Sequence, residues 1–370
     1  MIKPINKVEV FINEQHIGNL ALTPNGLCAF EYTAQYLASG VSISPFYLPL
    51  RSGVFLAKHD PFNGLFGVFN DCLPDGWGKL LTDRILRKHK INLNEISTLH
   101  RLCLVNSNGV GALGFKPNWE LVAKMDNTDL NQIAKEVEQI QQNNFDGDLE
   151  GLFNKGGSSG GARPKVFLKV DNVNWIIKFK SSIDPINIGE IEYQYSIAAR
   201  KCGIDIPTTR LFNGKYFGVQ RFDLVEKEKY HVHSASGLLY ASFRYPSLDY
   251  IDLIKATLAL TQSISEALKL YRQMVFNVLT FNKDDHAKNF SYILKNKTWQ
   301  LSPAYDLVFS EGFNGQHTTT INGNGNPNKK DLFEVAKQTG LPKNQAVHIY
   351  DEVFENSKEL LRLLLSYKLI

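Results

Sequence analysis

The run VFLKVDNVNWIIKFK, residues 166–180, leaves its backbone little choice. Val166, Leu168 and Val170 recur at every second position, the period of a strand with one buried face. Asp171 and Asn172 can turn the chain, and WIIKF returns it as a second strand. The pair carries Lys178 inside an otherwise apolar strand, where an ammonium group is costly without an anionic partner. Directly before it stands GGSSGGARPK, Gly156–Lys165. That composition is a spacer's, yet an apolar strand follows at once, so a bare loop over a ligand is the competing reading. The run is not a P-loop, because no Gly-Lys-Ser/Thr follows it.

Around this centre the chain has a mixed first part and a helical last part. Residues 7–20, KVEVFINEQHIGNL, read as a hairpin turning at Asn13 and Glu14, and GLCAFEY as a further strand. Pro74-Asp75-Gly76 is a turn before a helix that places Leu80, Leu81, Ile85 and Leu86 on one side. A helix over 128–142 ends in QQNNFDGD, the best boundary in the first half. GEIEYQYSIAARKCGI is a helix closed by Gly203, and YFGVQRF is a strand. From 247 the period is helical. Ser263 and Glu266 form a capping box ahead of Leu268, Tyr271, Val275, Val278 and Leu279, and two more helices end the chain. This order suits a bilobal α+β enzyme, although other folds share it.

Composition removes several classes. A net charge of +4 over 370 residues, with no Lys/Arg block, argues against direct nucleic-acid binding. Cys28, Cys72, Cys103 and Cys202 lie far apart without a CxxC, as reduced core residues of a cytosolic protein would. The N-terminus lacks a signal-peptide core, and no stretch approaches the ~18 apolar residues of a membrane span. The expectation is a soluble, cytoplasmic protein.

The densest polar cluster in an apolar setting is VFNVLTFNKDDHAKNFSYI. Asp284 precedes Asn289 by five residues, and Asp306 follows another apolar strand in WQLSPAYDLV. Phosphoryl transfer needs such a set: a carboxylate to orient a hydroxyl, with an amide oxygen and a second carboxylate holding Mg²⁺ on the phosphates. It also needs a strand lysine behind a glycine-rich turn, which Lys178 supplies, with Glu190 and Glu192 on the next helix as carboxylate partners. Taken singly these signals are weak. An Asp and an Asn five apart are commonplace, a lone His286 is more often a core histidine, and Lys178 could snorkel from an edge. The ordered combination carries the signal.

GGARPK, WIIKFK, QRFD, NKDDHAKN and LSPAYDLV resemble, in order and spacing, the HipA-type serine/threonine kinases of bacterial toxin–antitoxin modules. FNDCLPDGWGKLLTDRIL and GQHTTTINGNGNPNKKDLF extend the resemblance over nearly the whole chain. It implies a bilobal fold similar to phosphatidylinositol-3-kinase-type enzymes. A small β-rich subdomain (1–115) would precede an α/β ATP-binding lobe (116–223) and an all-helical catalytic lobe (224–370). It implies Asp284 as catalytic base supported by His286, with Asn289 and Asp306 as Mg²⁺ ligands and Lys178 on the ATP phosphates. Ser158, Ser159, Gly160, Lys165, Glu192 and Lys288 join the nucleotide site, with Val219, Gln220, Arg221 and Phe222 as the adenine hinge. In this family autophosphorylation of a serine in the glycine-rich segment ejects the loop. Ser158 holds that position, and Ser159 is the alternative. The implied partners are a HipB-type DNA-binding antitoxin and a protein substrate, aminoacyl-tRNA synthetases being among the family's targets. Gln220 replaces a common glutamate before RFD, and HVHSASGLLYASFRYPSLDY lacks the Glu-Asp…Gln pattern of some relatives, which leaves the substrate open. A small-molecule kinase and a non-catalytic co-repressor are the competing readings.

Overall fold

The computed structural model describes residues 3–105, 109–121, 128–142 and 149–370. The chain divides into two compact units, Met1–Gly189 with Leu211–His233, and Glu190–Arg210 with Ser234–Ile370.

The first unit opens as an antiparallel meander, β1 (Lys7–Ile12), β2 (Gln15–Leu22) and β3 (Cys28–Tyr32). Alternation sends Val8, Val10, Ile17, Leu20 and Phe30 into its core, and Asn13 makes the first turn at a φ of 52°. A short helix α1 (Ala34–Leu37), strand β4 (Phe55–Leu56) and helix α2 (Gly67–Asn70) lead to α3 (Gly76–Lys88) and α4 (Thr98–Val105). Strand β5 (Leu113–Lys116) completes a five-stranded sheet in the order β4-β3-β2-β1-β5. Helix α3 buries Trp77, Leu81, Ile85 and Leu86, whereas Leu80 is more than a third exposed. The sequence groups Leu80 with them, but Leu80 precedes Leu81 by a rotation of ~100° on the side away from Ile85 and Leu86, which carries it off the face.

Helices α5 (Leu130–Gln141) and α6 (Leu149–Gly156) follow, then β6 (Lys165–Val170) and β7 (Val173–Lys178). Most of the expected boundary QQNNFDGD falls at 143–148, outside the described residues. Asp171 and Asn172 turn the expected hairpin with φ of 51° and 62°, the mirror-image turn that matches strand twist. With β8 (Thr209–Phe212) and β9 (Tyr216–Gln220) they form a sheet ordered β6-β7-β9-β8. Val166, Leu168, Trp175 and Ile177 pack from this sheet onto Trp77 and Leu81 of α3, Ile133 and Val137 of α5, and Leu152 of α6. A short hairpin, β10 (Leu224–Val225) and β11 (Glu228–Lys229), precedes β12 (His231–Ser234).

The second unit contains α7 (Ile188–Lys201), α8 (Ala235–Leu239), α9 (Tyr250–Thr261) and α10 (Ile264–Leu279). Gly203 ends α7 with a φ of 72°. The lobe expected to be all-helical is not: the hairpin β13 (Ser291–Lys295) and β14 (Thr298–Leu301), turned at Asn296 and Lys297 with φ of 50° and 62°, interrupts the helices, and α11 (Lys329–Gln338) and α12 (Lys343–Ser366) complete the unit. The capping box expected at Ser263 is half made. Ser263 accepts from the Glu266 N–H, but the Glu266 carboxylate turns to the Leu301 N–H (2.8 Å) and to Lys269. It thereby ties the start of α10 to the end of β14. All four cysteines are free thiols, and burial lifts those of Cys28 and Cys103 to about 11. Among the described residues no helix is long and apolar enough to cross a membrane.

Candidate active site

The glycine-rich run of the first unit is folded onto α3 rather than extended as a spacer. Gly156 is the last residue of α6, and Ser159 doubles back so that its N–H and hydroxyl both donate to the Gly156 carbonyl, at 3.0 and 2.6 Å. Ser159 is fully buried and Ser158 half-buried. The Gly161 N–H donates to the Asp75 carboxylate, and its carbonyl accepts from the Trp77 N–H at 3.0 Å. Thr82 donates to the Gly157 carbonyl at 3.2 Å. Gly78 makes the fit possible, since a Cβ there would lie 2.1 Å from the Ser159 carbonyl oxygen. Gly160 remains exposed at the outer bend.

Lys165 and Lys178 are directly opposed across the β6/β7 pair, and both are buried, at 8 % exposure each. Opposed residues of an antiparallel pair share a face, so both lysine side chains rise from one face of the sheet. The Lys165 Nζ lies 2.7 Å from where a Gly161 Cβ would sit, and the Lys178 Nζ stands 5.5 Å from the Phe217 ring centroid. Arg163 grips Asp184 through Nε and Nη2 at 3.0–3.2 Å, and the Ser181 N–H and hydroxyl reach the same carboxylate at 2.8 Å. Burial would raise the Asp184 carboxyl, but these donors outweigh it and hold it below the usual range.

At the expected hinge, Val219 is buried and Gln220 and Phe222 are half-buried. The Arg221 guanidinium is engaged elsewhere. It binds Asp223 at 3.0 and 2.6 Å and the Gly109 carbonyl at 3.0 Å, and lies over Phe167. Asp223 in turn accepts from the Gly111 N–H at 2.7 Å.

In the second unit α10 delivers the chain into the loop 280–290, and Asp284 stands exposed upon it. Its neighbour Asp285 is almost wholly buried, at 1 % exposure. One Asp285 oxygen accepts from the Thr318 and Thr319 N–H groups at 2.9 and 3.2 Å, the other from His317 Nδ1 at 2.8 Å and the Tyr250 hydroxyl at 2.9 Å. Burial, reinforced by this carboxylate, keeps the Tyr250 hydroxyl protonated far above its ordinary range. Asn277 donates to Tyr250 at 2.9 Å, and Asn282 donates to Asn277 at 3.0 Å. Sequence reasoning missed Asp285, Tyr250, His317 and Thr319. Two adjacent aspartates look alike in a string, and the donors come from segments more than thirty residues away.

Each carbonyl around Asp284 is held. That of Lys283 accepts from the Thr318 N–H (3.0 Å) and that of Asp285 from the Thr319 hydroxyl (2.5 Å). The Asp284 carbonyl accepts from Asn289 Nδ2 at 2.7 Å. A carbonyl demands a donor, so this bond orients the Asn289 amide and leaves Oδ1 as its acceptor on the other side. The Asn289 N–H donates to the His286 carbonyl (2.8 Å), while the His286 ring lies 6.1 Å from that of Phe243. The Lys288 ammonium stands 4.2 Å from the same Phe243 ring. The segment bearing Asp306 is stitched alongside, because the Tyr305 hydroxyl donates to the Lys288 carbonyl (2.7 Å) and pairs with Ser291 (2.5 Å). Asp306, half-buried, has a φ of 54°, a left-handed conformation that aspartate tolerates better than most residues. Glu190 and Glu192 lie on α7, the latter buried.

Two family models match the chain: the HipA N-terminal domain over residues 8–116, and the HipA-like C-terminal domain over 157–361, more than half of its length. The chain belongs to the HipA family. It has that family's α+β, bilobal kinase-like fold. The HipA-family chain superposes on HipA from Shewanella oneidensis, solved with HipB and its operator DNA, at a TM-score of 0.74. That match covers 97 % of this chain and 91 % of the other, with 18 % identity. Y4dM of Sinorhizobium fredii, named provisionally as a kinase, is 25 % identical over 195 residues. That alignment takes in 48 % of this chain and 45 % of Y4dM, so the chain spans under half the length of this curated relative.

Proposed function

We propose that this HipA-family protein is an ATP- and Mg²⁺-dependent protein serine/threonine kinase that acts in the cytoplasm as a growth-inhibiting toxin. The observation that carries the reading is the loop 283–289. It exposes one carboxylate, Asp284, on a backbone held at three successive carbonyls, and turns Asn289 so that an oxygen faces away. Preorganisation of that kind is what a transfer reaction with little covalent chemistry requires of a protein.

The donor chemistry suits the implied cofactors. Asn289 and Asp306 offer hard oxygen ligands, and two protein donors are what Mg²⁺ takes when phosphates complete its shell. Bound Mg²⁺·ATP supplies the phosphoryl group and neutralises charge on its oxygens. The opposed Lys165 and Lys178 would bind the phosphates, where two buried like charges attract a polyanion strongly. Asp284 would orient the acceptor hydroxyl and take its proton. His286 would support the loop through the Asn289–His286 backbone bond. Lys288 and Glu192 would complete the phosphate side, and the main chain at Val219–Phe222 would meet the adenine. Autophosphorylation at Ser158 or Ser159 would add charge inside the run packed on α3 and drive it out. A HipB-type antitoxin is the proposed partner, and an aminoacyl-tRNA synthetase the proposed substrate class.

The test is phosphoproteomics of lysate incubated with Mg²⁺·ATP and either the parent protein or Asp284→Asn. The parent should label serine or threonine on a cellular protein and on its own loop, and the variant should label neither. Transfer by Asp284→Asn at the parent's rate would refute the assignment.

A further inference from the structure

We propose that His317–Thr319 is a positioning clamp for Asp284, acting through Asp285. The inference rests on the kinase reading and assigns a role to the segment that supplies two of the three carbonyl bonds that reading invokes. The clamp holds the loop on both sides of the exposed carboxylate. Thr318 donates its N–H (3.0 Å) and hydroxyl (3.2 Å) to the Lys283 carbonyl, the peptide before Asp284. Thr319 donates its hydroxyl to the Asp285 carbonyl (2.5 Å), the peptide after it. The Asp285 side chain then gathers the Thr318 and Thr319 N–H groups and the His317 ring, all within 3.2 Å.

These bonds form where water is excluded. Asp285, His317 and Thr319 are 1 %, 3 % and 1 % exposed. A buried carboxylate is tolerated only when fully supplied with donors, so Asp285 selects one arrangement of the loop and penalises others. The side chains of the clamp are spent on the loop, and the one side chain left exposed between them is Asp284. Asp285 and the clamp are positioning residues, because they act on Asp284 through the peptides on either side of it.

Thr319→Val removes one hydroxyl and keeps the shape, whereas Thr319→Ser keeps the hydroxyl. Both would be measured with the full chain for kcat, for KM toward ATP and for urea midpoint, with His317→Gln beside them. The clamp predicts that Thr319→Val loses about 10- to 100-fold in kcat, the scale of a misplaced catalytic group, with KM for ATP within about twofold. Thr319→Ser should recover most of that loss, and His317→Gln should lose kcat in the same pattern. Parental kcat in a folded Thr319→Val overturns the clamp and leaves the kinase reading standing. So does a fall in kcat that only follows the folded fraction. A parent protein that transfers no phosphate overturns the kinase reading, and the clamp with it.

Discussion

Replacing Gly78 with alanine should uncouple the glycine-rich run from α3 while leaving Lys165, Lys178, Asp284, Asn289 and Asp306 unchanged. A glycine within a helix ordinarily gains about 1 kcal/mol of stability on becoming alanine. Gly78 has ordinary helical geometry, so that gain is open to it. The added Cβ, however, would stand 2.1 Å from the Ser159 carbonyl oxygen and 3.0 Å from its N–H nitrogen. The carbonyl must retreat by about 1.3 Å to reach an ordinary 3.4 Å contact. Ser159 cannot shift alone, because it is fully buried and doubly bonded to Gly156. Overpacking of this kind costs about 1–3 kcal/mol. If docking of the run shapes the phosphate site, Mg²⁺·ATP affinity should fall about 5- to 150-fold. Titration calorimetry reads the affinity, hydrogen exchange over 157–163 reads the docking, and the urea midpoint should hold or fall, because the overpacking cost equals or exceeds the helix gain. Parental affinity with parental exchange protection would refute the reasoning.

Three further outcomes follow from the same geometry. Burial pushes His231 down to about 4 while its Nε2–H holds the Ile43 carbonyl at 2.8 Å. The unfolded chain binds the proton more readily, so stability should rise by roughly 2–3 kcal/mol between pH 4.5 and pH 7. His231→Gln, which keeps a donor, should flatten that slope in urea titrations. Asp306→Gly removes a carboxylate at a φ of 54° that glycine adopts without strain; transfer should vanish while the unfolding free energy from urea titration stays within about 1 kcal/mol. Preincubation with ATP should inactivate the parent but not a Ser158→Ala, Ser159→Ala double variant, with loop phosphate read by mass spectrometry.

Much of this fold is legible where the signal is local. The Asp171-Asn172 turn, the alternation in β6 and β7 and the period of α10 are set by neighbours a few residues apart, and the structure has them. The nearby order of Asp284, Asn289 and Asp306 is equally plain, and the Tyr305–Lys288 and Asn289–Asp284 bonds draw those segments together. What stayed hidden depends on distant partners. Glu266 gives up its reciprocal cap because the Leu301 N–H arrives from thirty-five residues away. Which aspartate of the DD pair is buried is decided by His317 and Thr319. The spacer-like run is packed because α3 lacks a side chain at Gly78, a fact recorded far from the run itself.

The burial of Ser159 has a temporal consequence. A hydroxyl at 0 % exposure, bonded at 2.6 Å to a backbone carbonyl, can receive phosphate only during excursions that lift it from α3. On the proposed switch, its modification rate is then the chemical rate multiplied by the fraction of time the segment is open. Each additional ~1.4 kcal/mol of docking would slow the modification of Ser159 tenfold. Half-buried Ser158 would be reached sooner. Two adjacent serines would thus act as a fast and a slow clock on a single enzyme, set by packing rather than by catalytic power.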